Sequence, residues 1–235
     1  KVKLGIIGVG NMGSGHLKNI MEGKCPEIEV AAVADINPDR LRWAREQLGE
    51  ALPVFSTAEE MLDSGLIEAA IVAVPHYDHP KYAIECFKRN IHVMVEKPAG
   101  VYTKQVREMN EAAAKSNVKF GLMFNQRTDH IYRKMRELVQ GGTLGQIRRT
   151  SWIITNWYRP QAYYDSGAWR ATWSGEGGGV LLNQCPHNLD LWQWICGMPV
   201  MVDAKLHFGK WHDIEVEDDV TALSLIHISE PTRPY

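Results

Sequence analysis

The sequence predicts an α/β protein: a doubly wound parallel sheet, then an α+β domain with a large, mostly antiparallel open sheet. Continuous apolar segments alternate with amphipathic helical segments up to Phe124, as is typical of a parallel sheet that helices cover on both faces. Beyond Phe124 the predicted strands are longer and the helices fewer, which favours antiparallel pairing. We therefore predict two domains, residues 1–124 and residues 125–222.

Turn residues and helix caps bound the elements of the first domain. Asn37 is a helix cap followed by Pro38 in the first turn, and Gly49 ends that helix. Thr57 and Glu60 have the spacing of a capping box for a short helix. The predicted strands are residues 2–8, 28–34, 69–74, 92–96 and 119–124, and the other helices are residues 11–22, 79–89 and 103–116.

The second domain is predicted to combine two helices with three strands. The helices are residues 129–140 and 180–196, and the strands are residues 147–157, 200–208 and 216–223. Residues 223–233 read LSLIHISEPTR, which matches the frame translation of a transposon-end sequencing adapter. We expect residues 223–235 to be read-through from a truncated gene, so that this domain lacks its later strands.

Composition argues against several classes of protein. The net charge of −2 is unlike the basic excess of nucleic-acid-binding proteins, and no apolar stretch is long enough to span a bilayer. Four cysteines without a C-x-x-C pair indicate reduced thiols and a cytoplasmic location. His76, Asp78 and His79, with Cys185 and His187, fit no familiar zinc spacing, so we expect no metal site.

Residues 8–13, G-V-G-N-M-G, match the G-x-G-x-x-G fingerprint of dinucleotide sites. The segment follows a predicted strand and opens a predicted helix, which is the context that the fingerprint requires. Gly8 allows a tight turn, Gly10 lets the backbone approach a pyrophosphate, and Gly13 lets the helix pack close to the strand. The helix N-terminus then presents N–H groups to the phosphates.

Asp35 ends the second predicted strand, at the separation expected for the acid that binds the adenosine ribose. Its carboxylate would accept hydrogen bonds from the ribose hydroxyls and repel a 2′-phosphate, which favours NAD over NADP. Arg40 lies nearby and would offset part of that repulsion, so NADP stays an alternative. The competing interpretation is a glycine turn and a capping Asp without a ligand.

Two clusters carry groups suited to hydride transfer. Lys97, in Glu96-Lys97-Pro98, follows a predicted strand, and a cation there would lower the pKa of a substrate alcohol. Pro98 would fix the backbone bend, through a cis bond as one alternative. Asn183 and His187 are four residues apart on a predicted helix and would share a face, where the imidazole suits a proton acceptor. Taken singly, a surface lysine and a core histidine are the simpler interpretations.

Together these motifs resemble the Gfo/Idh/MocA oxidoreductases, the glucose–fructose oxidoreductase and inositol dehydrogenase family. The resemblance runs from Lys1 to about Ala222 and includes the glycine loop, Glu-Lys-Pro and the Gly-Gly-Gly…His-x-x-Asp helix in family order. It implies an N-terminal Rossmann domain and oxidation or reduction of sugars or inositols with NAD(P). It also implies assembly into homo-oligomers through the open sheet.

The resemblance assigns Lys97 and His187 to catalysis, with Asn183 beside them. With the glycine motif, the expected cofactor contacts are Gly8, Gly10, Asn11, Met12, Gly13, Asp35, Pro75, His79, Glu96, Lys97, Asn125, Trp169 and Arg170. The family commonly has Asp where this chain has Asn183, and an amide cannot take a proton, so a Lys–Asp–His relay would lose its acid member. Members that oxidise a sugar C3 hydroxyl resemble this chain in carrying Asn, so we interpret the change as a hint about substrate.

Substrate contacts are predicted on Tyr158 and Tyr163, besides Asn183 and His187, because aromatic faces pack against the C–H faces of pyranose rings. The alternative is that these aromatic side chains fill a core. Three functions stay open: a sugar or polyol dehydrogenase, a redox-assisted glycosidase with catalytic NAD, and an NAD-binding sensor without chemistry.

Overall fold

The computed structural model describes residues 1–155 and 158–225. The chain divides into a compact unit of Lys1–Met123 and a second unit that begins at Phe124. No helix among the described residues has the length and apolar character needed to cross a membrane.

The first unit is built on a parallel sheet of six strands in the order β3-β2-β1-β4-β5-β6. The strands are β1 Val2–Ile7, β2 Ile28–Ala34, β3 Val54–Phe55, β4 Ala69–Val72, β5 His92–Val95 and β6 Phe120–Leu122. The chain moves outward from β1 through β2 to β3, then returns to place β4 on the other side of β1. Ligands of such sheets bind where the strand order reverses, at the carboxyl ends of the strands.

Five helices cover the sheet on both faces, as predicted. They are α1 Asn11–Met21, α2 Pro38–Leu48, α3 Ala58–Asp63, α4 His79–Lys88 and α5 Thr103–Ala114. Leu17 of α1 and Ala44 of α2 pack with Ile6 of β1 in one buried cluster. Met61 of α3, Phe87 of α4 and other α3–α5 side chains pack with Ile7, Val72 and Val95 in the cluster on the other face. This two-faced core confirms the doubly wound arrangement.

Helix caps lie where the sequence indicates. The Asn37 side chain accepts a hydrogen bond from the Asp39 amide at the start of α2, and Gly49 follows the helix with φ +103°. The Thr57 side chain accepts from the Glu60 amide at the start of α3. These local hydrogen bonds explain why the starts of α2 and α3 follow the prediction.

The second unit contains three α-helices and one antiparallel strand pair among the described residues. They are α6 His130–Gln140, α7 Gln161–Asp165, α8 Pro186–Cys196, β7 Met201–Phe208 and β8 Glu217–Leu225. The Arg136 guanidinium and the Gln140 amide of α6 donate to backbone carbonyls at the end of α8, which joins the two helices.

Three expectations for the second unit need correction. Residues 147–155 form no strand, because β7 and β8 pair with each other and no described strand pairs with this segment. The helix expected over 180–196 is interrupted: a π-helical turn, Val180–Gln184, closes from the Cys185 amide to the Val180 carbonyl before α8 begins. The antiparallel sheet is a two-stranded one in the described chain, not a large one.

Part of the predicted adapter segment lies in this sheet. Residues 223–225 end β8 and pair with the start of β7. Residues 226–235 lie outside the described residues, as do residues 156–157 of the predicted strand. The origin of the segment stays a prediction.

Candidate active site

The glycine loop lies between β1 and α1, at the reversal of strand order. Gly8 has φ +88°, and a β-carbon there would lie 2.7 Å from the carbonyl oxygen of Ala73, which follows β4. A β-carbon at Gly13 would lie 1.9 Å from the Gly8 carbonyl oxygen. Glycine is therefore required at both positions by the packing of the chain itself, as their predicted roles demand.

Gly10 differs from these two glycines. A β-carbon built at Gly10 meets no heavy atom within 4 Å, so the protein's own packing does not demand glycine there. Gly10 is also the cap of α1 and supplies no side chain to its first amides. Asn11 and Met12, the first two residues of α1, are exposed. Open space in front of uncapped helix amides fits the pyrophosphate of a dinucleotide.

The Asp35 carboxylate is held beside this loop by two backbone amides. Its Oδ2 accepts from the Val9 amide at 2.7 Å and its Oδ1 accepts from the Asn37 amide at 2.8 Å. The side chain is half-buried and the predicted modulator, Arg40, is exposed. Asp35 thus joins the glycine loop to the end of β2, where the ribose-binding acid of this fold lies.

A buried Glu96 at the end of β5 meets a histidine that the sequence analysis missed. Glu96 is 4% exposed, and its Oε1 lies 2.6 Å from His16 Nε2. The two residues are 80 positions apart, so no local spacing connects them. The available signal was that His16 follows Gly13 by three residues, on the helix that the glycine loop opens. Glu96 and His16 join α1 to the carboxyl end of β5.

Lys97 follows Glu96 and is half-buried. The Lys97–Pro98 peptide bond is cis, the alternative that the sequence analysis raised. Next to it, the His79 ring is 1% exposed, with Nδ1 2.6 Å from the Pro98 carbonyl oxygen and Nε2 2.8 Å from that of Val74. Burial lowers the pKa of His79, and the two carbonyls oppose that shift.

The printed contacts of the His79 ring are with the protein backbone, and its expected contact with the cofactor stays a prediction. Both ring nitrogens face backbone carbonyls and the ring is enclosed, so the side chain joins the β4 loop to the Lys97–Pro98 turn. His79 thus fastens the turn that follows Lys97, through the Pro98 carbonyl oxygen. Pro75, directly after Val74, is exposed at the carboxyl end of β4.

In the second unit, His187 is the second residue of α8 and is half-buried, edge-on to the Phe124 ring. Asn183 lies in the preceding π-turn, and its Nδ2 donates to the buried carboxylate of Glu176. The helix type changes at Cys185, between residues 183 and 187, and their shared face stays a prediction. Glu176 is a second residue that the sequence analysis missed.

Asp190 was noted three residues after His187, but its carboxylate pairs with another element. Asp190 is 7% exposed and accepts two hydrogen bonds from Arg127, which lies in the 3-10 turn Asn125–Thr128. Asn125, expected at the cofactor, is exposed at the start of that turn. The Arg127–Asp190 pair holds the turn against α8.

Tyr163 and Trp169 form a stack with two arginines. Arg170 donates from Nη1 to the Tyr163 hydroxyl at 2.8 Å, and its guanidinium lies 4.5 Å from the Tyr163 ring centre and 4.6 Å from that of Trp169. Arg159 lies over Tyr163 at 4.4 Å. Tyr158 is 80% exposed. Trp169, Arg170 and Tyr163 are thus brought together, whereas Tyr158 lies at the surface.

Lys97 belongs to the first unit and His187 to the second, so the convergence of these side chains on one alcohol stays a prediction. Within residues 1–155 and 158–225 no group of three or more His, Cys, Asp or Glu side chains is arranged to hold a metal ion.

The sheet order, the glycine loop and the placement of Asp35 define a dinucleotide-binding α/β domain. A profile described as "Oxidoreductase family, NAD-binding Rossmann fold" matches residues 2–124, and one described as "GFO/IDH/MocA C-terminal domain" matches residues 132–225. The chain therefore belongs to the Gfo/Idh/MocA oxidoreductase family. The predicted family and nicotinamide cofactor are both confirmed.

Relatives of this chain include an inositol dehydrogenase and a dehydrogenase solved with NADH and UDP-GlcNAcA. It is 27% identical to myo-inositol 2-dehydrogenase from Thermotoga maritima, over 85% of this chain and 56% of that protein. It is 26% identical to rhizopine catabolism protein MocA from Rhizobium meliloti, over 84% and 58%. The WlbA dehydrogenase from Bordetella pertussis, solved with NADH and UDP-GlcNAcA, matches at TM-score 0.83 and 27% identity, over 95% of this chain and 65% of that chain. The chain spans little more than half the length of these curated relatives.

Proposed function

We propose that this chain is part of an NAD(P)-dependent oxidoreductase that transfers a hydride between nicotinamide and a ring hydroxyl of a sugar, glycoside or inositol. The observation that carries the proposal is the open space at Gly10, in front of the first amides of α1. Asp35 is held beside this glycine loop, and Lys97 follows β5 at the carboxyl edge of the same sheet. The names of the relatives in Thermotoga maritima and Bordetella pertussis support a cyclic polyol or sugar as substrate.

In the proposed reaction the carbinol becomes a carbonyl, losing a hydride from carbon and a proton from oxygen. A bound nicotinamide supplies the hydride acceptor. The Lys97 ammonium lowers the pKa of the alcohol and stabilises the developing alkoxide. His187 accepts the hydroxyl proton, and Asn183 orients a substrate hydroxyl. Asn183 cannot itself take up a proton, because an amide is not basic at neutral pH.

NAD is the proposed cofactor, with NADP as the alternative. The Asp35 carboxylate, already held by two amides, retains lone pairs for ribose hydroxyls and would repel a 2′-phosphate. We further propose that the cofactor is contacted by several exposed or half-buried residues and by the buried Glu96 at the end of β5. These are Asn11, Met12, Pro75, Glu96, Asn125, Trp169 and Arg170, and Tyr158 and Tyr163 are the proposed aromatic contacts to substrate.

We also propose a cytoplasmic protein that forms homo-oligomers at full length, with domains at residues 1–124 and 125–222. The four cysteines are free, which is compatible with a reducing compartment. Val202 and Leu206 of β7 are exposed and lie on one face of the strand, as expected of a sheet face that a second copy covers.

The test is a screen of sugars, glycosides and inositols with NAD and with NADP, using the protein expressed from an intact gene. Stoichiometric formation of reduced cofactor is expected, and Lys97→Met should lower kcat by ~100-fold or more. Lys104→Met, which removes a lysine of α5 whose side chain is 86% exposed, is the matched control. Glycoside cleavage without net reduced cofactor would favour the redox-assisted glycosidase, and cofactor binding without turnover of any compound would favour the sensor.

A further inference from the structure

Glu176 is a buried carboxylate that joins two segments of the candidate site. It is 1% exposed, and its Oε2 accepts a hydrogen bond from the Ala171 amide at 2.7 Å. Its Oε1 accepts from Nδ2 of Asn183. Ala171 directly follows Trp169 and Arg170 and has φ +51°, a left-handed conformation that is costly for a residue with a β-carbon. One carboxylate therefore holds both this strained backbone and the π-turn that carries Asn183.

Asn and Asp have the same shape and would both fit at position 183, but the buried Glu176 carboxylate favours one of them. Asn donates an N–H to Glu176, whereas Asp of the same shape would bring a second carboxylate against the first. Two carboxylates in contact cannot both ionise in a buried site, so one must hold a proton. The charge state of residue 176 thus decides which residue position 183 accepts.

We infer that Glu176 is a positioning residue that selects an amide at position 183 and orients it toward the substrate side of the site. The π-turn consequently presents a neutral hydrogen-bonding group, and the proton of the alcohol is left to His187. This inference rests on the proposed function for its catalytic meaning, although the coupling between residues 176 and 183 does not depend on it.

Other charged groups lie around Glu176. Burial raises the pKa of Tyr164, and the interactions with Tyr163, Asp218 and Glu176 raise it further, while Arg159 opposes them. The carboxylate of Glu217 on β8 accepts hydrogen bonds from the Gly179 and Leu181 amides at 3.0 Å, at the start of the same π-turn. A second negative charge at position 183 would therefore enter a region that already holds several acidic groups.

The test is a double-mutant cycle followed by thermal unfolding at pH 5 and pH 8, on the 235-residue chain without ligand. In Asn183→Asp one carboxyl has a folded-state pKa above its unfolded value. The variant is then stable at low pH and loses stability as the pH rises toward the raised pKa. We expect its deficit in Tm to be small at pH 5 and roughly 5 °C or more at pH 8.

Exchanging donor and acceptor should reverse this loss. In Glu176→Gln with Asn183→Asp, the new amide at position 176 donates to the new carboxylate at position 183 and accepts from the Ala171 amide. The Tm at pH 8 should therefore return to within roughly 2 °C of the parent. Glu176→Gln alone should cost little, because the Asn183 amide can turn over. Asn110→Asp, an exposed residue of α5, adds the same charge without a buried partner and should show no pH-dependent deficit.

Two results would overturn the inference: a deficit of Asn183→Asp that is equal at both pH values, or a double variant no more stable than Asn183→Asp. If Asn183→Asp fails to fold, recovery of folded protein in the double variant carries the same information. Unfolding needs neither cofactor nor substrate, so the Tm values test the coupling between residues 176 and 183 even if the proposed dehydrogenase reaction is wrong. The two failures can therefore be told apart. With active protein, Glu176→Gln should keep the Tm but lower kcat more than it changes the KM of NAD, since the inverted amide faces the substrate.

Discussion

Gly13 lies so close to Gly8 that a β-carbon on the first would come within 1.9 Å of the carbonyl oxygen of the second. This contact joins the start of α1 to the end of β1, and it leaves no side chain but hydrogen at position 13. A β-carbon at Gly10, between them, would have no heavy atom of the protein within 4 Å. The glycine loop therefore contains two positions required by the fold and one, Gly10, that we propose is required by the cofactor, and substitution can separate the two.

We expect Gly13→Ala to lower the stability of the first unit by roughly 3 kcal/mol or more, because backbone would have to move. Gly10→Ala should leave the Tm nearly unchanged but weaken NAD binding by ~10-fold or more, since its methyl group occupies the space of the pyrophosphate. Thermal unfolding and calorimetric titration with NAD measure the two effects. Gly15→Ala, also in open space within α1, is the control and should be neutral or slightly stabilising. Equal NAD affinity in the parent and in Gly10→Ala would remove the cofactor from this loop.

Replacing Asp35 should change the choice of cofactor. In Asp35→Ser the repulsion of a 2′-phosphate is lost, so the preference for NAD over NADP should fall by ~10-fold or more. Binding of both cofactors is the measurement. Asp39→Ser, in the first turn of α2 with a side chain 74% exposed, serves as the control and should keep the preference. An unchanged ratio in Asp35→Ser would assign ribose recognition to another group.

The buried His79 ring should make the protein sensitive to acid. Burial lowers the pKa of His79 in the folded state, so the unfolded chain takes up the proton first as the pH falls. The stability from the neutral ring is complete above the ordinary histidine pKa and is lost below it. We therefore expect the Tm of His79→Gln to fall less than that of the parent between pH 7 and pH 5. His130→Gln, with a side chain 91% exposed, should follow the parent, and parallel Tm curves for all three proteins would contradict the prediction.

The Arg127–Asp190 pair should stabilise the second unit. Arg127→Met leaves a 7%-exposed carboxylate without its partner and should cost roughly 2 kcal/mol in the free energy of unfolding. Arg127→Met with Asp190→Asn removes the charge as well and should recover part of that loss. Urea unfolding measures both, and Arg133→Met, an exposed arginine of α6, is the control. A double variant less stable than Arg127→Met would show that Asp190 has another role.

Most of the first unit could be predicted from sequence because most of its elements are bounded by signals from neighbouring residues. Asn37, Thr57 and Gly49 cap or end helices through hydrogen bonds and backbone conformations a few positions away. The glycine loop belongs to the same class of local signal. The strand β3 was missed because its two residues, Val54–Phe55, are too few to show a pattern of apolar and polar side chains.

The second unit was less predictable because its structure depends on distant partners. Residues 147–155 have the composition of a strand, yet a strand forms only with a neighbour, and composition does not report one. The π-turn at Val180–Gln184 is supported by Glu217 from β8, over thirty residues later. His16 of the first unit was missed for the same reason, since its partner Glu96 lies 80 positions away. Glu176 was missed although its partners Ala171 and Asn183 are five and seven positions away, because those separations match no regular helix or strand spacing.

The Asp35 carboxylate has a second consequence for how this cofactor site can change. Because its oxygens accept hydrogen bonds from the Val9 and Asn37 amides, replacing Asp35 to admit a phosphorylated ribose gives up two backbone contacts along with the negative charge. A change of cofactor made at Asp35 therefore needs a second substitution that restores the contacts with the loop. A single substitution at this position will lose affinity for the cofactor as it comes to tolerate the 2′-phosphate.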